Sequence, residues 1–227
     1  MKNKSINTII KDITVATIKG GLSPLPFGSI FAEYIGLVQE SIYNKRMENW
    51  ISYVEETLQK IQRSIDDLVQ DEIFCSCTQV ATIGAMKSYQ KEKLKLFANA
   101  LYTCATNAEI SGDKKLFYLS LLDRYTLSHI LLLNYFSKNN HNDKRDANSM
   151  MSIKDVNETE TPLKGIAENI PEFTNDMVFV KQIIMQLFSD NLIGLIDFNV
   201  SVPKKQARSK KTTKYGDDFL AFIKDYE

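Results

Sequence analysis

Nine glycines, five prolines and three cysteines are spread through 227 residues, and each scarcity excludes a class of fold. Short strands joined by tight turns need frequent glycine and proline, so helices are expected in place of a β-sandwich. Cys75, Cys77 and Cys104 are odd in number and lack the spacing of a disulfide framework. With no signal peptide in the sequence, they point to a reducing cytoplasm. Charge of one sign is missing too. Lys plus Arg and Asp plus Glu each number 28, so net charge gives no reason to expect a polyanionic partner.

Recognisable chemistry is equally scarce. No glycine-rich phosphate loop follows a strand pattern, no nucleophile elbow occurs, and the carboxylates scatter over helix surfaces. Glu33 interrupts an apolar run and reads as a surface residue rather than a catalytic acid. The only histidines are His129, on an apolar helix, and His141, in a polar loop. Together with Cys75 and Cys77 they do not assemble the four ligands a structural zinc requires. The expectation is a protein that is not an enzyme, with no metal site and no cofactor.

What the chain does have is periodic apolar sequence. Tyr43, Met47, Ile51, Val54, Leu58, Ile61, Ile65 and Leu68 recur in steps of three and four, which places one stripe on a long helix over 43–68. Residues 73–108 read as helical with an interruption near Gly84, and Leu94, Phe97, Leu101, Cys104 and Ala108 form a second seam. A short connection favours antiparallel neighbours, so the two seams are expected to form a long antiparallel hairpin. Ahead of it, 4–18 reads as an amphipathic helix carrying Ile6, Ile9, Ile10 and Ile13, with Lys2, Lys4, Lys11 and Lys19 nearby. Its apolar face suits either the core or an anionic membrane surface. The apolar run 30–38 is too short to span a bilayer. Ile30, Phe31, Ile35 and Val38 are therefore expected either to pack in the bundle or to contact a membrane or a partner.

Beyond Ser111-Gly112-Asp113, helices are expected over 114–123 and 127–137, the second capped by Thr126. Residues 138–160 shift to Asn, Asp, Lys, Ser and Glu and read as a polar surface insertion. A helix capped by Thr161 follows over 162–170, then one capped by Thr174 or Asn175 that runs to Ser189. Extended chain over 195–200, a basic loop over 203–214 and a helix over 215–223 complete the order of a winged helix. Lys204, Lys205, Arg208, Lys210, Lys211 and Lys214 in the wing are candidate contacts to nucleic acid or another polyanion. The helix before the wing offers only Lys181, Gln182 and Gln186 to base edges, so contact would be non-specific.

Three stretches carry a family likeness: Lys95-Leu96-Phe97-Ala98-Asn99-Ala100-Leu101, then Leu121-Leu122-Asp123-Arg124-Tyr125-Thr126-Leu127-Ser128, then Asn191-Leu192-Ile193-Gly194-Leu195-Ile196 paired with Thr213-Lys214-Tyr215-Gly216-Asp217-Asp218-Phe219-Leu220. In this order they resemble the bacterial abortive-infection alpha family, over roughly 45–226. The resemblance implies a phage-defence protein.

The expected fold class is mainly α. A helical bundle with the long antiparallel hairpin spans 1–112, and a winged-helix-like domain with a small β-hairpin and the insertion at 138–160 spans 113–227. The function expected is non-enzymatic defence through protein or membrane interaction, in a protein expected in the cytoplasm or associated with a membrane from that side. Its partner would be an unknown protein or a second copy. The alternative is a winged-helix nucleic-acid-binding regulator with weak sequence specificity.

Overall fold

Capped stretches of three- and four-residue apolar spacing become ten α-helices, one 3-10 turn and a two-stranded sheet among the described residues. The computed structural model describes residues 40–138, 159–194, 196–198 and 200–225. The helix expected over 4–18 and the apolar run 30–38 lie outside them, as do residues 139–158 of the insertion. The chain is mainly helical and divides into two units. One extends to Tyr125 and takes in the tail from Phe222, and the other is Thr126–Ala221. The division thus falls after residue 125 rather than after 112.

In the first unit, α1 is Glu40–Lys60, α2 Ile65–Gln70, α3 Glu72–Lys87, α4 Lys91–Thr106 and α5 Gly112–Arg124. The single helix expected over 43–68 is therefore interrupted. Ser64 starts α2 by accepting the Asp67 N–H at 3.0 Å, and Asp71 starts α3 by accepting the Phe74 N–H at 3.0 Å. Arg63, inside the break, donates to the Ala105 carbonyl and to the Asp71 carboxylate. The line of deepest burial on α1 is Trp50, Val54, Thr57 and Ile61, while Met47, Ile51 and Leu58 flank it half-buried. Thr57 hid this line from an apolar-only pattern. The Trp50 indole N–H donates to the Thr82 hydroxyl at 3.2 Å, so burying the indole leaves no donor unsatisfied.

The pairing of the seams also differs from the expected hairpin. Residues 73–108 contain two helices, broken at 88–90 rather than near Gly84. Gly84 stays inside α3 because the Phe97 ring occupies the place of a side chain, 2.4 Å from where a Cβ would sit. Along α1, Arg46 reaches the Met86 carbonyl and Trp50 reaches Thr82, which makes α1 antiparallel to α3. Lys95 over the Tyr53 ring and Arg63 at Ala105 follow the opposite rule, so α1 is parallel to α4. The chain reverses twice between the two seams, once before α3 and once after it. They pack together, but in the same direction.

Helix α5 belongs with this bundle because Tyr118, Leu119, Leu121 and Leu122 are buried in it. Lys87 pairs with Asp123 at 2.8 Å, and Lys93 donates to the Asp123 and Tyr125 carbonyls at the end of α5. A cation is favourable there, where carbonyls lack helical partners. The tail returns to the same unit: the Thr103 hydroxyl donates to the Phe222 carbonyl, and the Phe222 ring lies 5.2 Å from that of Tyr118.

The second unit contains α6 Leu127–Phe136, β1 Thr159–Glu160, α7 Pro162–Asn169, the 3-10 turn Pro171–Phe173, α8 Met177–Ser189, β2 Val202–Pro203, α9 Lys204–Ala207 and most of α10, Lys214–Phe222. Thr126 and Thr161 stand at the expected N-caps, but α8 is capped by Asp176 rather than by Thr174 or Asn175. The local β-hairpin expected from the sequence is replaced by a long-range pair, Thr159↔Pro203 and Glu160↔Val202, antiparallel. Residues 196–198 and 200 belong to no strand. The return of the chain is closed by a single bridge, Ile193↔Thr212. Gly194 N donates to the Lys211 carbonyl at 2.9 Å and Thr213 N to that of Leu192 at 3.0 Å. Gly216 permits this closure, since a Cβ there would lie 2.1 Å from the Leu192 oxygen.

Candidate interaction surface

Helix α8 has two apolar faces. Val180, Ile183, Ile184 and Leu187 are buried in the second unit. Val178, Phe179, Met185 and Phe188 point outward and are 73%, 41%, 54% and 40% exposed. A helix apolar on all sides is ordinarily enclosed; here only one side is covered. The helix ends cleanly because Asn191 adopts a positive φ of 58°, a conformation asparagine tolerates after a helix. The Leu192 N–H then returns to the Leu187 carbonyl at 2.9 Å, which starts the bridged arm, residues 192–213.

One polar residue of α8, Gln186, is committed to a neighbouring helix. His129 is held at Nδ1 by the Thr126 N–H at 3.2 Å, and its Nε2 meets the Gln186 side-chain oxygen at 3.0 Å. Nδ1 accepts from the backbone, so Nε2 carries the proton and donates to Gln186. Lys181 is half-buried, which leaves Gln182 as the exposed polar side chain in mid-helix.

Five of the six basic residues singled out above lie on the arm and Lys214 opens α10; most are engaged within the protein. Arg208 is 3% exposed. Its Nε donates to Glu160 Oε1 at 2.5 Å and its Nη2 to Oε2 at 2.8 Å, and Nη2 also contacts Glu168. The hydrogen-bonded Glu160 carboxylate raises the already high pKa of Arg208. Glu160, read from sequence as part of a polar surface insertion, is therefore buried on β1. Gly165 makes room for the cluster, because a Cβ there would lie 3.1 Å from Glu160 Oε1 and 3.2 Å from the Tyr135 hydroxyl. Burial pushes the Tyr135 hydroxyl up to about 12.

Lys210 pairs with Asp217 at 2.6 Å and Lys214 with Asp218 at 3.2 Å. Lys211 donates to the Gln206 carbonyl and the Ser209 hydroxyl, each at 2.6 Å, and burial lowers its pKa. Lys204 is half-buried and Lys205 exposed on α9. Of these cations only Arg208 is buried, Lys211 is half-buried against the arm's own polar groups, and Lys210 and Lys214 lie in exposed pairs with carboxylates of α10.

No family model, curated protein or solved structure matches the chain. Among the described residues, no group of three or more His, Cys, Asp and Glu side chains could hold a metal ion. Cys77 and Cys104 are buried in the first unit and Cys75 is exposed. No single described helix is long and apolar enough to cross a membrane. Ile30, Phe31, Ile35 and Val38 lie outside the described residues. The exposed face of α8 escaped the sequence reading because spacing marks α8 as apolar on both sides and does not say which side is covered. Glu160 was missed for a different reason: its immediate neighbours in sequence are polar, and its partner Arg208 comes from the arm.

Proposed function

We propose that this chain is a non-enzymatic phage-defence protein, and that its second unit is a winged-helix-like module adapted to protein contact. The defence role rests on the resemblance to the abortive-infection alpha family. The order α7, α8, bridged arm and α10 supports the winged-helix reading, with the arm in the place of the wing. The observation that carries protein contact is the exposed apolar face of α8, the helix that would read base edges in a DNA-binding relative of this architecture. Such a face gains free energy by burial against another apolar surface and little from a polyanion. The burial of Arg208 against Glu160 removes that cation from contact with phosphates, which weighs against the nucleic-acid alternative.

The test is phage challenge of a bacterial host that expresses the full chain. Wild type should lower plating efficiency for at least one phage, and Met185→Lys, checked for native circular dichroism, should restore it at least tenfold. Failure to protect against every phage in a broad panel overturns the defence reading. Full protection by a folded Met185→Lys variant overturns the role of α8. Salt-sensitive binding of unrelated duplexes that is lost on replacing Lys204 and Lys205 would favour the nucleic-acid alternative instead.

A further inference from the structure

The outward face of α8 is arranged about Gln182. Phe179 stands three residues before it and Met185 three residues after it, with Val178 and Phe188 further out. Lys181 is the only charged residue of this helix and is half-buried. A charged partner therefore finds no complement on the face, and two copies of it meet without repulsion between like charges on α8. An amide both donates and accepts, so Gln182 is complementary to itself across a two-fold axis. We propose that the partner of this face is a second copy of the chain, bound through antiparallel pairing of α8 with α8 about an axis at Gln182. This deepens the reading of α8 as a protein-contact helix and rests on it.

In that arrangement residues whose numbers are equidistant from 182 face each other. Phe179 of one copy meets Met185 of the other on both sides of the axis, a pairing in which sulfur packs favourably against an aromatic ring. Gln182 meets Gln182, and the two amides hydrogen-bond. The four exposed apolar side chains present on the order of 400 Å² per copy, the size at which a patch on a monomer is often functional. Two such patches and their polar rim come to about 1,000 Å² in total, the lower end for a specific interface. The pairing should therefore be reversible and depend on concentration.

Sedimentation of the full chain across roughly 1–200 μM, the range a small interface implies, should show a monomer–dimer equilibrium, and Met185→Lys should weaken it at least tenfold. Cross-linking locates the axis. In a Cys75→Ser background, Gln182→Cys should form a disulfide-linked dimer under mild oxidation at least ten times faster than Val178→Cys. Both positions are exposed, yet two-fold symmetry separates the two copies of position 178 by about 12 Å along the helices, beyond the ~7 Å that a disulfide can bridge. Cross-linking at 178 as fast as at 182, or at neither, overturns the proposed pairing. So does a chain that stays monomeric throughout the range. If Met185→Lys still abolishes phage protection in a monomeric chain, the pairing fails while α8 as a contact for another protein stands.

Discussion

Exchanging the buried ion pair of the second unit for apolar side chains gives a sharp test of what holds the arm in place. Arg208 and Glu160 have side chains 3% and 4% exposed and share two hydrogen bonds. Removing either partner alone leaves an uncompensated charge in a site that water does not reach. Glu160→Leu and Arg208→Met should each therefore cost about 3–5 kcal/mol, whereas the double variant should lie near wild type. Glu168 already contacts Arg208 and, at 45% side-chain exposure, keeps part of its hydration; it partly compensates Arg208 when Glu160 is lost, so Glu160→Leu should fall at the lower end. Urea unfolding at pH 7, followed by circular dichroism, yields the four free energies of the cycle. A coupling energy below ~1 kcal/mol would refute the reasoning, since a surface pair gives that much. The expected pattern also separates roles: a strongly destabilised single and a nearly neutral double identify the pair as a device that fixes the strand β1–β2 contact.

Three other outcomes follow from the geometry. Gly216→Ala places a Cβ 2.1 Å from the Leu192 carbonyl oxygen, a backbone atom that cannot rotate away, and should cost about 1–3 kcal/mol or more by thermal or urea unfolding. Asp71 is held below the usual carboxylate range, first by the Phe74 N–H and then by Arg63. A depressed folded pKa contributes stability above the unfolded value that is lost as pH falls through the folded one, so Asp71→Ala should cost about 0.5–2 kcal/mol at pH 7 and progressively less as pH falls below about 4. A deficit that stays constant down to the acid limit would contradict this. His129→Ala removes both the acceptor for the Thr126 N–H and the donor to Gln186, and should lower stability by about 1–3 kcal/mol in the same assays.

The sequence by itself determined the helical class, the helix ends beyond residue 110 to within a few residues and much of the buried apolar set, because these follow from local rules: apolar spacing, capping side chains and the scarcity of glycine and proline. Thr126 and Thr161 stand where a capping residue was expected. Only tertiary structure decided how the helices are joined and which surfaces remain open. Periodicity at 43–68 records burial, and Ile61 and Leu68 stay buried across a broken helix; the pattern is blind to the break because packing, not propensity, sets it. The parallel run of α1 and α4 depends on a second reversal at 88–90, a few residues from the glycine that composition favoured. Glu160 lies 48 residues before Arg208, and no local pattern can show that the two meet. The open side of α8 was beyond sequence for the same reason, since a helix apolar all round takes its exposed face from whichever neighbours the rest of the chain supplies.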